Sequence, residues 1–455
     1  MRVIVVGAGP AGLTLAAALA PRGFEVLAVD RDPGPGPDGS WRRRGVMQFE
    51  HPHGFRPQVA DLLAAEWPDA LREWHVLGAE RRWFDEPDGR AIPAGIRSRR
   101  SVYERALRAA SARVDGLARV TGTVSGLIER AGRVSGVLVD DRPERADLVV
   151  DAAGRGGRVL RAPVRGTRRR ECAITYATRT YRRHPDAPPG PLSNPIVWGG
   201  TFPGYQAMVF PHEDRHLSVV ILRSPRDPAL APLRHVDAFD EACRHIPAIA
   251  AWTDPRHAEP TGPVLVGAAL RNEYRPQLRR PGLVALGDAV ATTTPTAGRG
   301  VALCSMQIRA LLDLVDDGAD PATIASPFGR WCDEHLRPWV DDHIAEDAET
   351  ARRLRGADLD LRRPLTSRAI VDAGERDSRI ATTARGFLAM TALPASLRPA
   401  EPLARAVYRS GWRPALADGP SSDELAAIIR RSRPAAEGRR IRDLGREVGV
   451  RARND

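Results

Sequence analysis

The sequence predicts an α/β fold in which an antiparallel β-sheet unit is inserted into a parallel-sheet domain, with a helical region towards the C-terminal end. Three observations carry the prediction. Four consecutive β-branched residues, Val3-Ile4-Val5-Val6, run straight into Gly7-Ala8-Gly9-Pro10-Ala11-Gly12 and an apolar helix pattern. Such a run is a strand buried on both faces, as strands of parallel sheets are. Residues 170–223 switch to alternating stretches punctuated by Pro and Gly, the pattern of an antiparallel sheet. From about residue 326 onward the pattern is mainly helical.

The glycines of the opening stretch have separate tasks in a Rossmann-like dinucleotide fold. Gly7 permits the tight turn, Gly9 lets a pyrophosphate approach the backbone, and Gly12 lets the next helix pack closely on the strand. That helix, from Leu13 to about Ala20, aims its N-terminal N–H groups and positive dipole end at the phosphates. A second apolar strand, Glu25 to Val29, ends in Asp30 and the adjoining Arg31. An acid there, about 20 residues beyond the glycines, accepts from ribose hydroxyls and disfavours a 2′-phosphate.

A Gly/Pro-rich loop, Asp32 to Ser40, leads to Trp41-Arg42-Arg43-Arg44-Gly45-Val46-Met47-Gln48. The short motif His51-Pro52-His53-Gly54 is expected to open a helix running through Val59 to Trp67. Apolar spacing predicts a further helix from about Ser101 to Ala112. Strands are expected at Arg119 to Val124, Gly126 to Glu129 and Val134 to Val139, and 147–158 reads as another buried strand ending in a glycine turn. In the inserted sheet the strand-like pieces are Ala173 to Thr178, Gln206 to Pro211 and Leu217 to Leu222, followed by a helix around Ala238 to Ile246. The chain returns to the first domain with a strand ending at Gly287-Asp288. A turn containing Pro295, Gly298 and Gly300 then leads into a helix from Val301 to Val315. Further helices are expected at Trp331 to Arg353, Ser367 to Asp377, Leu403 to Tyr408 and Ser422 to Arg431, and no internal repeat is visible.

Composition narrows the function classes. The 455 residues suffice for two or three domains, and 42% hydrophobic with 27% charged residues is ordinary for a globular chain. No apolar run approaches a membrane span, and the fingerprint begins almost at Met1, so the expected compartment is the cytoplasm. Cys172, Cys243, Cys304 and Cys332 have no metal-like spacing, which predicts reduced structural thiols and no metal site. The net charge of +11 is not read as a nucleic-acid signal. All 68 basic residues are arginine and lie scattered, except for a tail from Arg430 to Arg453 that also carries acids. A positive field remains suited to an acidic substrate or carrier domain.

Four motifs together resemble the single-component flavin-dependent monooxygenases, the p-hydroxybenzoate hydroxylase-like hydroxylases and epoxidases. They are the glycine fingerprint with Asp30; Arg43-Arg44-Gly45-Val46-Met47-Gln48 with His51 and His53; Ala146 to Arg155; and Gly287-Asp288-Ala289 followed by Pro295-x-x-Gly298-x-Gly300. Thr294 stands where that family often has Asn, and Gly156-Gly157 replaces its serine-containing turn. The resemblance implies FAD as cofactor and NAD(P)H as a transient reductant, since no second nucleotide fingerprint is present. It places Asp288 on the ribityl chain and the Gly298–Gly300 turn beside the flavin ring. The helix from Val301 then faces the ring's pyrimidine edge, with Arg43, Gln48 and Arg100 as further cofactor contacts.

His51 and His53 either stand near the flavin as proton donors or cap a helix. Tyr176, Trp198, Met208 and Phe210 either line an apolar substrate pocket or form ordinary core. The implied activity is O2-dependent monooxygenation of an apolar or aromatic small molecule, free or carrier-bound, in secondary metabolism. A geranylgeranyl-reductase-like flavoenzyme and a redox-neutral cyclase that keeps FAD as scaffold are the alternatives. The expected division is a discontinuous FAD domain at 1–168 and 281–325, a substrate domain at 169–280, and a helical region with its arginine-rich tail at 326–455. Oligomeric state is left open.

Overall fold

The structure is a computed structural model and describes residues 1–86, 89–157 and 164–432. The tail beyond Ser432, including most of the arginine-rich stretch, lies outside the described residues, as does Arg158 of the glycine turn.

A five-stranded parallel sheet organises the chain, in the order Leu283–Ala285, Leu148–Asp151, Arg2–Val6, Glu25–Asp30, Leu117–Thr121. The first strand is central: Val5 lies opposite both Val150 and Ala28. Alternation sends its side chains to two cores. Val3 and Val5 pack with Leu15, Ala16 and Leu303 beneath the helices Pro10–Leu19 and Gly300–Asp316. Ile4 and Val6 pack against Val134, Val137 and Val139 of a three-stranded meander, Val124–Arg130, Arg133–Val139 and Arg142–Arg145. Burial on both faces is why four β-branched residues stand in a row.

The second unit is an antiparallel sheet ordered Trp198–Phe202, Tyr205–Pro211, His216–Arg223, Thr175–Arg183, Ala258–Pro260, with Leu265–Gly267 also paired to Thr175–Arg183. One face carries Tyr205, Ala207, Val209, Val219 and Ile221 against the helices Val236–His245, Pro247–Thr253 and Ser422–Ser432. The other carries Tyr176, Val220 and Leu222, with Met208, Phe210 and Met47 against them. A smaller sheet, Arg168–Glu171, Arg271–Tyr274 and Ala291–Thr292, joins this unit to the strand end at Gly287.

The α/β class, the inserted antiparallel sheet and the helical C-terminal stretch match the prediction; several element boundaries do not. The expected helix Trp331 to Arg353 is two helices, Ala325–His335 and Arg337–Arg353. Pro338 can open the second but cannot continue the first. The expected Ser367–Asp377 helix stops at Ala373, and the next, Ser378–Leu388, starts at an Asp377 cap that accepts from the Arg379 amide. His51 and His53 open no helix: Gly54–Phe55 is a short strand paired with Ile96–Arg97, and the helix begins at Pro57. The hairpin Glu80–Asp85 with Ala91–Arg97 had no counterpart in the expectation. Most C-terminal helices share one core with the parallel sheet through Phe328, Trp339, Ile370, Phe387 and Tyr408. The last among the described residues, Ser422–Ser432, instead covers the antiparallel sheet with Leu425, Ala426 and Ile429.

Candidate functional site

One continuous cavity of about 2680 Å³ runs from Asp30, past the strand end at Gly287, to the inner face of the antiparallel sheet and the C-terminal helices. Its first end is built from the glycine turn. Gly7 has φ +105°, and a Cβ there would meet the Ala152 carbonyl; a Cβ at Gly12 would run into the Gly7 carbonyl. These two glycines are demanded by packing alone. Gly9 is different: a Cβ there would approach only the Arg43 Nη1 at 3.5 Å and otherwise enters the cavity. The Pro10–Leu19 helix has no side-chain cap and no acid in its first turn, so its N-terminal amides stay available to an anion.

Asp30 accepts from the Ala8 amide (2.7 Å) and Arg43 Nη2 (2.9 Å) through Oδ2, and from the Asp32 amide (2.9 Å) through Oδ1. Arg43 is buried and reaches Glu104 with Nη1 at 2.5 Å; Glu104 in turn takes Nε of Arg100 at 2.6 Å. The two arginines therefore hang on one buried carboxylate, and both still wall the cavity. Arg31 is exposed at the rim, close to Gly45 and Gly156, while Gln48 lines the wall.

At the second end, the Gly287 amide donates to Oε1 of Gln307 (2.9 Å), which fixes the strand terminus. Asp288 follows. Burial raises its carboxyl above the usual range, and Arg100 and Arg155 oppose that rise. No described side chain donates a hydrogen bond to this carboxylate, so it is an acceptor in want of donors. Pro295, Gly298, Gly300 and Val301 line the same wall. Gly298 adopts φ +60°, and a Cβ at Gly300 would meet nothing. Arg299 of this loop also lines the cavity, ion-paired to Asp342 at 3.1 Å and stacked over Trp339 and Phe387. Thr294 gives its amide to Asn272 Oδ1 (2.6 Å) and its hydroxyl to Asp347 Oδ2 (2.6 Å). The loop is thus bolted to the helix Arg337–Arg353.

Both histidines line the cavity between the two ends. Arg100 can only donate, so the 3.3 Å contact makes His53 Nε2 the acceptor and leaves its proton on Nδ1, which donates to the His51 carbonyl (2.9 Å). Burial, then Arg100, pushes His53 down to about 3, and burial pushes His51 down to about 4. Each is neutral in the pH range where an ordinary histidine switches. In a ¹H–¹⁵N histidine NMR titration, neither ring is expected to change protonation between about pH 5 and 8; a midpoint inside that window would contradict the buried geometry.

Tyr176, Met208 and Phe210 wall the cavity, His51 standing edge-on to Tyr176 at 5.0 Å. Trp198 does not. It lies opposite Val209 in register and so shares the face of Ala207 and Val209, away from the cavity; the expectation placed it one residue out of phase. Residues that the sequence reading passed over include Glu104, Gln307 and Arg56. Only Glu104 carried a local signal, its i,i+4 spacing from Arg100.

Comparison with known proteins bears on the fold. Residues 5–61 match the model of an NAD(P)-binding Rossmann-like domain. Two D-amino acid dehydrogenases match locally. That of Dechloromonas aromatica (strain RCB) is 34% identical over 103 residues, and that of Rhodopseudomonas palustris (strain HaA2) 51% identical over 67. The chain covers 24% and 16% of their lengths, and the matches take in 21% and 15% of this chain. Solved structures match far more of it. A variant of the flavin-dependent brominase Bmp2 superposes with TM-score 0.59 at 15% identity, over 90% of this chain and 98% of that one.

The chain has the fold of the FAD-dependent monooxygenases and halogenases.

PqsL of Pseudomonas aeruginosa, a probable FAD-dependent monooxygenase, shares this flavoenzyme fold with TM-score 0.57 at 16% identity, over 78% of this chain and 98% of that one. So does the myxobacterial chondrochloren halogenase CndH, with TM-score 0.56 at 18% identity, over 96% of this chain and 98% of that one. Among the described residues of the flavoenzyme fold, no group of acids, histidines and cysteines could hold a metal ion, and no helix is long and apolar enough to cross a membrane.

Proposed function

We propose that this chain is an NAD(P)H- and O2-dependent FAD monooxygenase acting on an apolar or aromatic small molecule. The observation that carries the reading is the unpartnered carboxylate of Asp288, half-way along a cavity that begins at the open Gly9 turn and ends against Tyr176, Met208 and Phe210. The residues fit FAD: Gly9 and the uncapped helix would take the pyrophosphate, Asp30 the ribose, Asp288 the ribityl hydroxyls, and the Gly298–Gly300 loop the ring. When bound, FAD would supply two-electron transfer from NAD(P)H and the activation of O2.

The chain's own part is orientation and charge placement. The N-terminus of the 17-residue helix Gly300–Asp316, which has no acid in its first turn, favours negative charge at the cavity wall. Neutral His51 and His53 add no competing cation there. Tyr176, Met208 and Phe210 keep that wall apolar, which excludes water from the reacting region. The division at 1–168 with 281–325, 169–280 and 326–455 belongs to this reading, as does a cytoplasmic site of action. All four cysteines are buried and unpaired, as a reducing compartment would leave them.

The purified protein is expected to be yellow, to oxidise NAD(P)H slowly alone and faster with substrate, and to place ¹⁸O from labelled O2 in the product. The brominase and halogenase relatives make a bromide and chloride arm essential. Halogenated product without ¹⁸O would replace oxygen transfer by halogenation. Turnover under strict anaerobiosis with NAD(P)H would favour a reductase, and turnover without any reductant a redox-neutral cyclase.

A further inference from the structure

Arg43, Arg100, Arg271, Arg299, Arg368 and Arg385 all wall the cavity, and each has a carboxylate within ion-pair distance. Arg56 walls it too and, like Arg31, Arg44, Arg155 and Arg353 of the same wall, has none among the described residues. Its guanidinium touches only backbone: Nε and Nη2 donate to the Ala297 carbonyl at 3.3 and 2.9 Å, and Nη1 donates to the Leu388 carbonyl at 2.9 Å. A further N–H remains on each Nη. Burial, then the like charge of Arg299, lowers its pKa to about 10, so it stays charged at neutral pH without a counter-ion. A partly buried cation satisfied by carbonyls alone costs free energy that an anion would recover.

The surroundings describe the rest of the ligand. Leu388, whose carbonyl Arg56 holds, is 48% exposed, and across the opening Phe84 is 43% and Ile92 39% exposed. All three line the cavity. Phe84 and Ile92 lie opposite each other in the hairpin, and Glu86 ties that hairpin to Arg385 of the Leu388 helix at 3.6 Å. Apolar side chains left open to water in the same cavity as an uncompensated cation make an amphipathic subsite. Its position next to Ala297 puts it one residue from the Gly298–Gly300 loop.

We propose that Arg56 anchors the anionic group of the substrate, an elongated amphipathic acid whose apolar body lies along Phe84, Ile92 and Leu388. This rests on the monooxygenase reading for the word substrate, but the binding is separately measurable. The alternative for Arg56 is a purely structural clamp between Ala297 and Leu388.

The test is calorimetric titration of the protein as purified with ω-phenylhexanoate and with its neutral amide, with flavin content read from visible absorbance. The acid is expected to bind about tenfold or more tighter than the amide, as a charge-assisted hydrogen bond implies. Shortening to phenylacetate should weaken the acid. Arg56→Gln should remove the acid's advantage and leave the amide's Kd and the flavin content unchanged, whereas Arg56→Lys should keep part of it. Equal affinity of acid and amide, or no binding of the acid, overturns the proposal. An equal loss of both ligands in Arg56→Gln and Arg56→Lys assigns the clamp instead. If Arg56→Gln does not fold, the wild-type comparison and Arg56→Lys decide. A flavin-free protein that still prefers the acid would overturn the monooxygenase reading and leave the anion site standing; a yellow protein without the preference would do the reverse.

Discussion

Replacing Gly9 by valine is expected to strip FAD from the protein while leaving the fold standing. Gly9 differs from its neighbours in what surrounds it. A Cβ at Gly7 or Gly12 would strike backbone oxygen, whereas at Gly9 it faces the Arg43 guanidinium at 3.5 Å and open cavity. Valine's methyl groups would occupy the space in front of the Pro10–Leu19 helix, where the pyrophosphate must lie for the helix amides to reach it. Losing two charge-assisted N–H bonds, at about 1.5–3 kcal/mol each, takes occupancy from near full to less than about a tenth under ordinary purification. The ratio of visible to ultraviolet absorbance measures this, and the circular-dichroism melt of flavin-stripped wild type and variant should coincide. A yellow Gly9→Val protein would move the phosphate site elsewhere; a Gly12→Ala protein should instead fail to fold.

Glu104→Ala should be strongly destabilising. Glu104 is 2% exposed and is the shared carboxylate of Arg43, itself 9% exposed, and Arg100. Removing it leaves a buried guanidinium with Asp30, which is also wanted by the Ala8 amide, and the more distant Asp32 at 3.6 Å. Breaking one side of a buried pair costs about 3–5 kcal/mol, whereas removing both sides together costs less. Chemical denaturation should show the full loss in Glu104→Ala and a smaller one in the double variant Glu104→Met with Arg43→Met. A loss below about 1 kcal/mol in the single variant would mean that water, not Glu104, satisfies Arg43.

The opening strand was legible because burial on both faces removes its alternation and the glycines then restrict what can follow. The inserted sheet was legible as a sheet but not in phase. Trp198 sits beside Gly199 and Gly200, which carry no side chain to mark a face, so only the pairing with Val209 tells which way it points. The break at Leu336 was signalled by Pro338, and the Asp377 cap by its own side chain; both were overridden by the long helical pattern around them. The hairpin at 80–97 had a turn signal in Pro87-Asp88-Gly89 and few buried residues to reinforce it. Arg56 could not have been found. Its hold on two backbone carbonyls and its lack of an acidic partner, a lack shared by Arg31, Arg44, Arg155 and Arg353 of the same wall, are properties of three-dimensional surroundings.

Leu425, Ala426 and Ile429 close a core whose other members lie between Ala177 and Ala258. The joint is also stitched by hydrogen bonds: the Ser422 amide donates to the Pro203 carbonyl, the Ala417 amide to that of Thr201, and the Tyr205 hydroxyl to that of Pro420 at 2.8 Å. During synthesis at roughly 5–20 residues per second, all strands of the antiparallel sheet leave the ribosome many seconds before this cover exists. The nascent chain must wait with an apolar sheet face partly bare, a state prone to sticking to other chains. Completion of this core, on the sheet face turned away from the cavity, is therefore timed by translation of the helix Ser422–Ser432.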